Sequence, residues 1–334
     1  MEQEEIPLRY RSTILYFLAA LLLVGLYFYD VHQDEKKGRL EQKAKVLLGI
    51  KSDQVEGIIL SGATGTIELQ KTEGMEKNAW KITVPIRAAT DSPAIEGLKN
   101  RLANLKYTRV IAEKTDDLAR FGLGDPSFVI TYKAGKISGR LAFGSLTPLE
   151  DGYYVHKNKD KRIYLVDKFD KEGLSKSLFD LRDKRLFTLI PGKVNRFIIQ
   201  REKAKWALIK KEGQWRLEND EDFRVDSERI DTMVRKVAGA EALSFEKEAV
   251  NEPEPYGLES SAVVVTLSDG KKEQSIFLGN PVKQKQNRIY AGIKGKPPQL
   301  VTVNKWLLND LPQNREEIKK EETAEEKKDT KTHR

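Results

Sequence analysis

At 334 residues the chain has room for about two domains of ordinary size. Its 39% hydrophobic and 33% charged residues describe packed cores under a highly charged surface. Having no cysteine, it has no disulfide, thiolate metal site or cysteine nucleophile, and His32, His156 and His333, far apart in sequence, are a poor supply for metal chemistry. The +8 balance of basic over acidic residues admits anionic lipid, an acidic envelope polymer or nucleic acid as partners, with nucleic acid the least favoured, and says nothing about fold.

After a short arm, residues 1–11, comes STILYFLAALLLVGLYFY, residues 12–29, a run without a charge. As a helix it would extend roughly 27 Å, close to the thickness of a bilayer core. Tyr16, Tyr27 and Tyr29 stand toward its ends, where amphipathic rings favour the membrane interface. A cleaved leader would have a shorter apolar stretch followed by small residues, whereas Tyr-Phe-Tyr-Asp follows here. The run is therefore expected to be an uncleaved single transmembrane helix, with residues 30–50 a charged stalk. Arg9 and Arg11 precede it, and Lys36, Lys37, Arg39, Lys43 and Lys45 follow it. That count favours a cytoplasmic body, but long following domains translocate largely regardless of charge, so orientation stays open.

Beyond the stalk the chain matches itself. Trp80 falls on Trp215 at an offset of 215 − 80 = 135, and Asp91 falls on Asp226 at the same offset. So do Phe121-Gly122-Leu123 on Tyr256-Gly257-Leu258 and Gly144 on Gly279. After Asp91, apolar Ile95, Leu98, Leu102 and Leu105 repeat at 3-4-3 spacing, as do Ile230, Met233, Val237 and Ala240 after Asp226. This spacing predicts one helix per copy with its apolar face turned inward and Asp as N-cap. Alternating or β-branched runs flank each helix: Val55 to Leu60, Thr66 to Gln70 and Trp80 to Val84 before the first, Ser127 to Tyr132 and Ile137 to Phe143 after it. Tyr153 to His156 and Arg162 to Val166 add another pair. The second copy repeats them from Val194 to Val303. The reading is β-β-β-α-β-β-β-β twice: an α+β fold, two tandem antiparallel-sheet-plus-helix modules over 51–180 and 181–312, behind one N-terminal span. Residues 313–334, almost without apolar side chains, are expected to be a disordered charged tail.

Each candidate site has a structural reading that outweighs the functional one. Trp80 and Trp215 could stack a ligand, but a place in the core fits their spacing from a capped helix better. Asp91 and Asp226 could serve as paired carboxylates, but capping explains both. Gly122 and Gly257 suit positive φ, and Gly144 and Gly279 suit tight turns. Glu252 and Glu254, the Asp151-Gly152-Tyr153-Tyr154 loop, and the basic stretch Arg201 to Lys211 are weaker candidates. No stretch matches a phosphate loop, dinucleotide fingerprint, zinc-protease helix or nucleophile elbow. No catalytic residue, metal or cofactor is expected.

The order Trp, Asp at a helix start, aromatic-Gly-Leu, strand and Gly, twice over behind one span, resembles the domain of unknown function 4340 family across residues 10 to 312. Gly124-Asp125-Pro126 fits that family's turn, while Glu259-Ser260-Ser261 lacks the proline. The resemblance implies a bacterial inner-membrane protein with an extracytoplasmic body, associated with permease and auxiliary parts of gliding-motility-type ABC transport systems. It supplies no catalytic residues. The expected role is a non-enzymatic accessory or scaffold subunit, with a module for an anionic envelope polymer or lipid as the alternative and an enzyme of unfamiliar type a third possibility.

Overall fold

The computed structural model describes residues 45–321 apart from 73–78, 159, 203, 260–261 and 294–297, together with scattered positions between Tyr16 and His32. Of the expected span, Tyr16, Leu18, residues 21–24, Leu26, Tyr27 and Tyr29 are helical and exposed, and the rest of 12–29 lies outside the described residues. Among the described residues no helix is long and apolar enough to cross a membrane. The chain divides into two compact units, Met1–Arg182 and Asp183–Arg334.

The first unit is a nine-stranded antiparallel sheet. Its strands are β1 (Val55–Gly62), β2 (Gly65–Lys71), β3 (Trp80–Val84), β4 (Ala88–Ala89), β5 (Arg109–Ala112), β6 (Phe128–Ala134), β7 (Ile137–Leu146), β8 (Gly152–Lys157) and β9 (Ile163–Asp167), in the spatial order β4-β3-β2-β1-β6-β7-β8-β9-β5. The alternation in β6 buries Phe128, Ile130, Tyr132 and Ala134 on one face. Helix α1 (Ser92–Ala103) lies between β4 at one edge and β5 at the other in sequence, so it carries the chain across the sheet. Its Ile95, Leu98 and Leu102 are at most 1% exposed, packed with Ile58, Leu69, Ile82 and Phe143. Two short helices, α2 (Lys168–Leu174) and α3 (Leu178–Leu181), bury Leu174 and Leu181 in the same core.

The second unit repeats this plan with β10 (Arg196–Arg201), β11 (Ala204–Lys211), β12 (Gln214–Leu217), helix α4 (Ser227–Ala238), β13 (Ser244–Lys247), β14 (Val263–Ser268), β15 (Glu273–Pro281), β16 (Arg288–Ile293), β17 (Gln299–Asn304) and α5 (Trp306–Asn309). Its order, β12-β11-β10-β14-β15-β16-β17-β13, is that of the first sheet without β4. The bounds of α1 and α4, and those of β5 and β13, keep the 135 offset at both ends.

Four expectations need correction. A short strand follows each helix, β5 and β13, which the β-β-β-α-β-β-β-β reading omits; only four residues long and mixed in polarity, they carry no clear periodicity. The charged stalk does not run to residue 50: Leu47 N–H donates to Leu105 O (2.8 Å), and Leu47 and Ile50 are core residues. The same bond opens the second copy, Leu186 N–H to Ala240 O (3.1 Å), so residues 181–190 divide between the copies instead of all belonging to the second. The tail does not begin disordered at 313. Asn314 caps a 3-10 turn, Arg315–Ile318, whose Ile318 is 1% exposed in the core. Asp226 N–H donates to Ile318 O as Asp91 N–H does to Leu181 O, both at 2.9 Å. The turn is thus the second copy of α3, with Asn314 in the place of Ser177. Residues 322–334 lie outside the described residues.

Candidate functional site

Both repeated tryptophans are buried, Trp80 at 6% and Trp215 at 2% exposure. The Trp215 indole N–H donates to Asp231 on α4 (2.8 Å), as does Lys210 Nζ (2.8 Å), and the ammonium sits 5.6 Å from the ring centroid. Burial pushes the Asp231 carboxyl up, but the hydrogen bonds from Lys210 and Trp215 outweigh it and hold it below the ordinary carboxylate value. In the first unit Lys99, on α1 itself, lies 5.7 Å from the Trp80 ring and pairs with Glu96 at 2.6 Å. Asp91 Oδ1 accepts from Ala94 N–H (2.9 Å) and Asp226 Oδ1 from Arg229 N–H (3.0 Å). These four landmarks organise the helix side of each sheet.

The aromatic-Gly-Leu landmarks lie in a loop that forms a second, smaller apolar cluster in each unit. Phe121 and Leu123 pack with Ala142 and Ile163 in one, and Leu258 with Val250 and Leu300 in the other. Phe121 meets Tyr154 edge-on with centroids 5.1 Å apart, and Tyr256 meets Tyr290 at the same separation. Gly122 and Gly257 adopt φ of 67° and 68°, the left-handed region that glycine enters without steric cost. A Cβ on Gly144 would stand 2.1 Å from Phe121 O, and one on Gly279 would stand 2.2 Å from Tyr256 O. Both glycines are therefore set by close approach of the loop backbone to the strand.

The weaker candidates resolve into structure. Arg201, which opens the basic stretch, donates to the carbonyls of Leu308, Leu311 and Pro312 at 3.1–3.3 Å. Lys211 pairs with Glu221. Glu254 and Glu259 lie together, and the Glu259 carboxyl is raised by desolvation and then by Glu254. Beyond the Asp151 loop, Asp160 accepts from Arg162 (2.9 and 3.1 Å) and Tyr164 (2.6 Å). The Arg162 hydrogen bond is the largest influence holding its carboxyl well below the usual range, against burial, and Tyr164 is pushed up to about 12, by burial first. Among the described residues no group of three or more His, Asp or Glu side chains could hold a metal ion.

An open groove of about 630 Å³ lies over β1, β2 and β6 of the first unit, and larger and smaller hollows of about 1050 and 550 Å³ lie beside the start of α4 in the second. Glu56, Ile59, Glu68, Gln70, Thr131, Lys133 and Ser138 are among the residues that line the groove; Lys133 pairs with Glu56 at 3.2 Å and Gln70 donates to Glu68 at 2.7 Å. Strand register places Arg196, Ile198, Ala207, Ile209, Thr266, Ser268 and Glu273 at the positions of Gly57, Ile59, Glu68, Gln70, Thr131, Lys133 and Ser138. Glu68 and Gln70 thus give way to apolar side chains in the second copy, while Arg196, paired with Glu218 and Glu273, takes the place of a glycine. Sequence reading missed this groove because its residues are the polar half of ordinary strand alternation.

The sequence pattern of one known family matches this chain twice, over residues 80–260 and 215–330, and the two matches begin on Trp80 and Trp215. The chain belongs to the domain of unknown function 4340 (DUF4340) family. No curated protein and no solved structure matches it significantly. The second DUF4340 match extends past Ile318, so it includes the turn that closes the second unit.

Proposed function

We propose that this DUF4340 protein is a membrane-anchored accessory subunit of a bacterial envelope transport system of the ABC type, and that it acts by holding partner proteins rather than by catalysis. The observation that carries this is the pair of unlike outer sheet faces on a duplicated scaffold: an open groove lined by Glu56, Glu68, Gln70 and Lys133 on one unit, and on the other a face where Ala207 and Ile209 replace Glu68 and Gln70 and Arg196 is paired with Glu218 and Glu273. A duplicated fold whose copies share their cores but differ on their open faces suits a scaffold that meets two different surfaces. The best-placed carboxylates support a non-catalytic role, since Asp91, Asp226 and Asp231 are each engaged in helix capping or tryptophan contacts.

The anchor is residues 12–29, whose length and lack of charge suit a single crossing of the inner membrane. The extracytoplasmic side and the transport association follow from the family resemblance. The test places a photo-crosslinker at Thr131 or Gln70 in the full-length chain and identifies adducts from native membranes by mass spectrometry. Permease or ATPase subunits are the expected adducts. Envelope polymer as the sole adduct would replace this proposal with a polymer-binding role, and the chain recovered alone would dispose of both.

A further inference from the structure

Among the described residues outside 16–29, the two most exposed large apolar side chains are Leu149, at 80%, and Phe169, at 75%. They sit on neighbouring segments of the first unit. Leu149 is in the turn between β7 and β8, where Glu150 N–H donates to Thr147 O, and Phe169 is in the first turn of α2. Gly152 pairs with Asp167, and Lys168 N–H donates to Asp151 O (3.4 Å), which joins the two segments side by side.

The second unit provides an internal control. Asp167 accepts from Phe169 N–H (2.8 Å) as Asn304 accepts from Trp306 N–H (3.1 Å), so Trp306 stands where Phe169 does. Trp306 is packed against its core, and the neighbouring turn, where Lys285 N–H donates to Val282 O as Glu150 N–H does to Thr147 O, carries Lys283 and Gln284 in place of Pro148 and Leu149. The fold therefore does not require an exposed apolar pair at this corner; only the first unit has one.

The first unit is also the one reached directly from the apolar run. Residues 30–44 separate the run from Lys45, a reach of at most roughly 50 Å for an extended chain. The chain enters beside the corner in question. Tyr107 N–H donates to Lys45 O, the next residue Thr108 donates to Leu165 O, and Leu165 lies two positions before Asp167. Two side chains on adjoining turns are too small an area for a stable protein interface, which takes about 800 Å² per partner. They do suit insertion into the boundary between lipid head groups and acyl chains.

We propose that Leu149 and Phe169 form a membrane-contact point that rests the first unit on the lipid interface. This rests on the anchored reading above. The charges of α2 and its flank, Lys168, Lys171 and Lys176 against Asp170 and Glu172, nearly cancel, so the contact is apolar and depends little on salt.

The cysteine-free chain permits a direct test. Full-length protein bearing an environment-sensitive label at Leu149→Cys, Phe169→Cys or, as control, Lys285→Cys is reconstituted into phosphatidylcholine vesicles holding a shallow nitroxide-lipid quencher. Flotation with the vesicles reads the anchor, and quenching reads the contact. Severalfold stronger quenching at 149 and 169 than at 285, unchanged by high salt, is the expected result. Flotation with equal quenching at all three positions overturns the contact and leaves the anchored reading standing, whereas failure to float removes both. Labels unquenched in vesicles but shielded in native membranes would assign the corner to a protein partner and sink the lipid proposal.

Discussion

The two units build the same cluster around their buried tryptophans from different parts of the chain. In the first, the lysine beside Trp80 comes from the helix, four positions after Ile95; in the second, that helical position is the buried Val234, and the lysine comes from β11. The carboxylate partner keeps its place, Glu96 in one and Asp231 in the other. A buried ring beneath the start of the helix therefore accepts a cation and a carboxylate from whichever element can supply them. The open faces share their backbone register, and Ile59 and Thr131 recur there as Ile198 and Thr266, but Gly57, Glu68 and Gln70 become Arg196, Ala207 and Ile209. Packing limits the interior of the module, and each outer face is free to diverge.

The largest expected effects concern the closing turn of each copy. Leu181→Ala and Ile318→Ala each remove a core side chain that is at most 1% exposed, and each should cost about 2–5 kcal/mol. Hydrogen exchange would locate the damage, with protection lost in α1 for the first and in α4 for the second. If Ile318→Ala leaves protection of α4 intact, the turn is not part of the second fold and the two copies end differently.

That turn also shows what could be read from sequence. Helices, hairpins and the duplication were legible because apolar spacing, caps and glycines repeat at 135. The closing turn was hidden because single-residue insertions move the offset to 137, pairing Ser177-Leu178-Phe179-Asp180-Leu181 with Asn314-Arg315-Glu316-Glu317-Ile318. One apolar residue in a charged run resembles a tail until its partner is known. The groove and the Lys–Trp contacts were not legible, since they join residues from separate elements and no local pattern marks them. The landmark residues were legible as positions, with physical causes visible only once strand and loop were set side by side.

The glycine contacts give the next largest effects. Gly144→Ala and Gly279→Ala each force a Cβ against a backbone carbonyl and should cost about 1–3 kcal/mol by urea titration, to similar extents in the two units. Gly97, in the interior of α1 with open space around its Cβ position, should behave oppositely. Gly97→Ala should stabilise by about 0.5–1 kcal/mol, and a loss of stability there would mean that the helix is more crowded than the geometry shows.

The corner that differs most between the copies separates packing from exposure. Trp306→Ser should cost about 1–3 kcal/mol, because the ring covers the second core. Phe169→Ser should change stability by less than about 0.5 kcal/mol, because that residue is 75% exposed. Equal costs would mean that Phe169 is packed in solution, and would remove the contrast on which the membrane contact depends.

The smallest effects lie at the tryptophans. Lys99→Met and Lys210→Met keep the aliphatic stem and delete the cation, and each should cost on the order of 1 kcal/mol. They should differ in their dependence on pH. Asp231 has a carboxyl held below its unfolded value, so its contribution is fully present above about pH 4, the ordinary aspartate range, and fades as pH falls through the lower folded value. Removing Lys210 takes away one of the two hydrogen bonds that oppose burial, so the Asp231 titration should move upward and the loss on acidification should begin at higher pH. Carboxyl chemical shifts followed by NMR through the acid range would show this directly. If the Asp231 titration stays in place in Lys210→Met, the tryptophan alone holds the carboxylate, and the lysine beside the ring serves mainly to cover it.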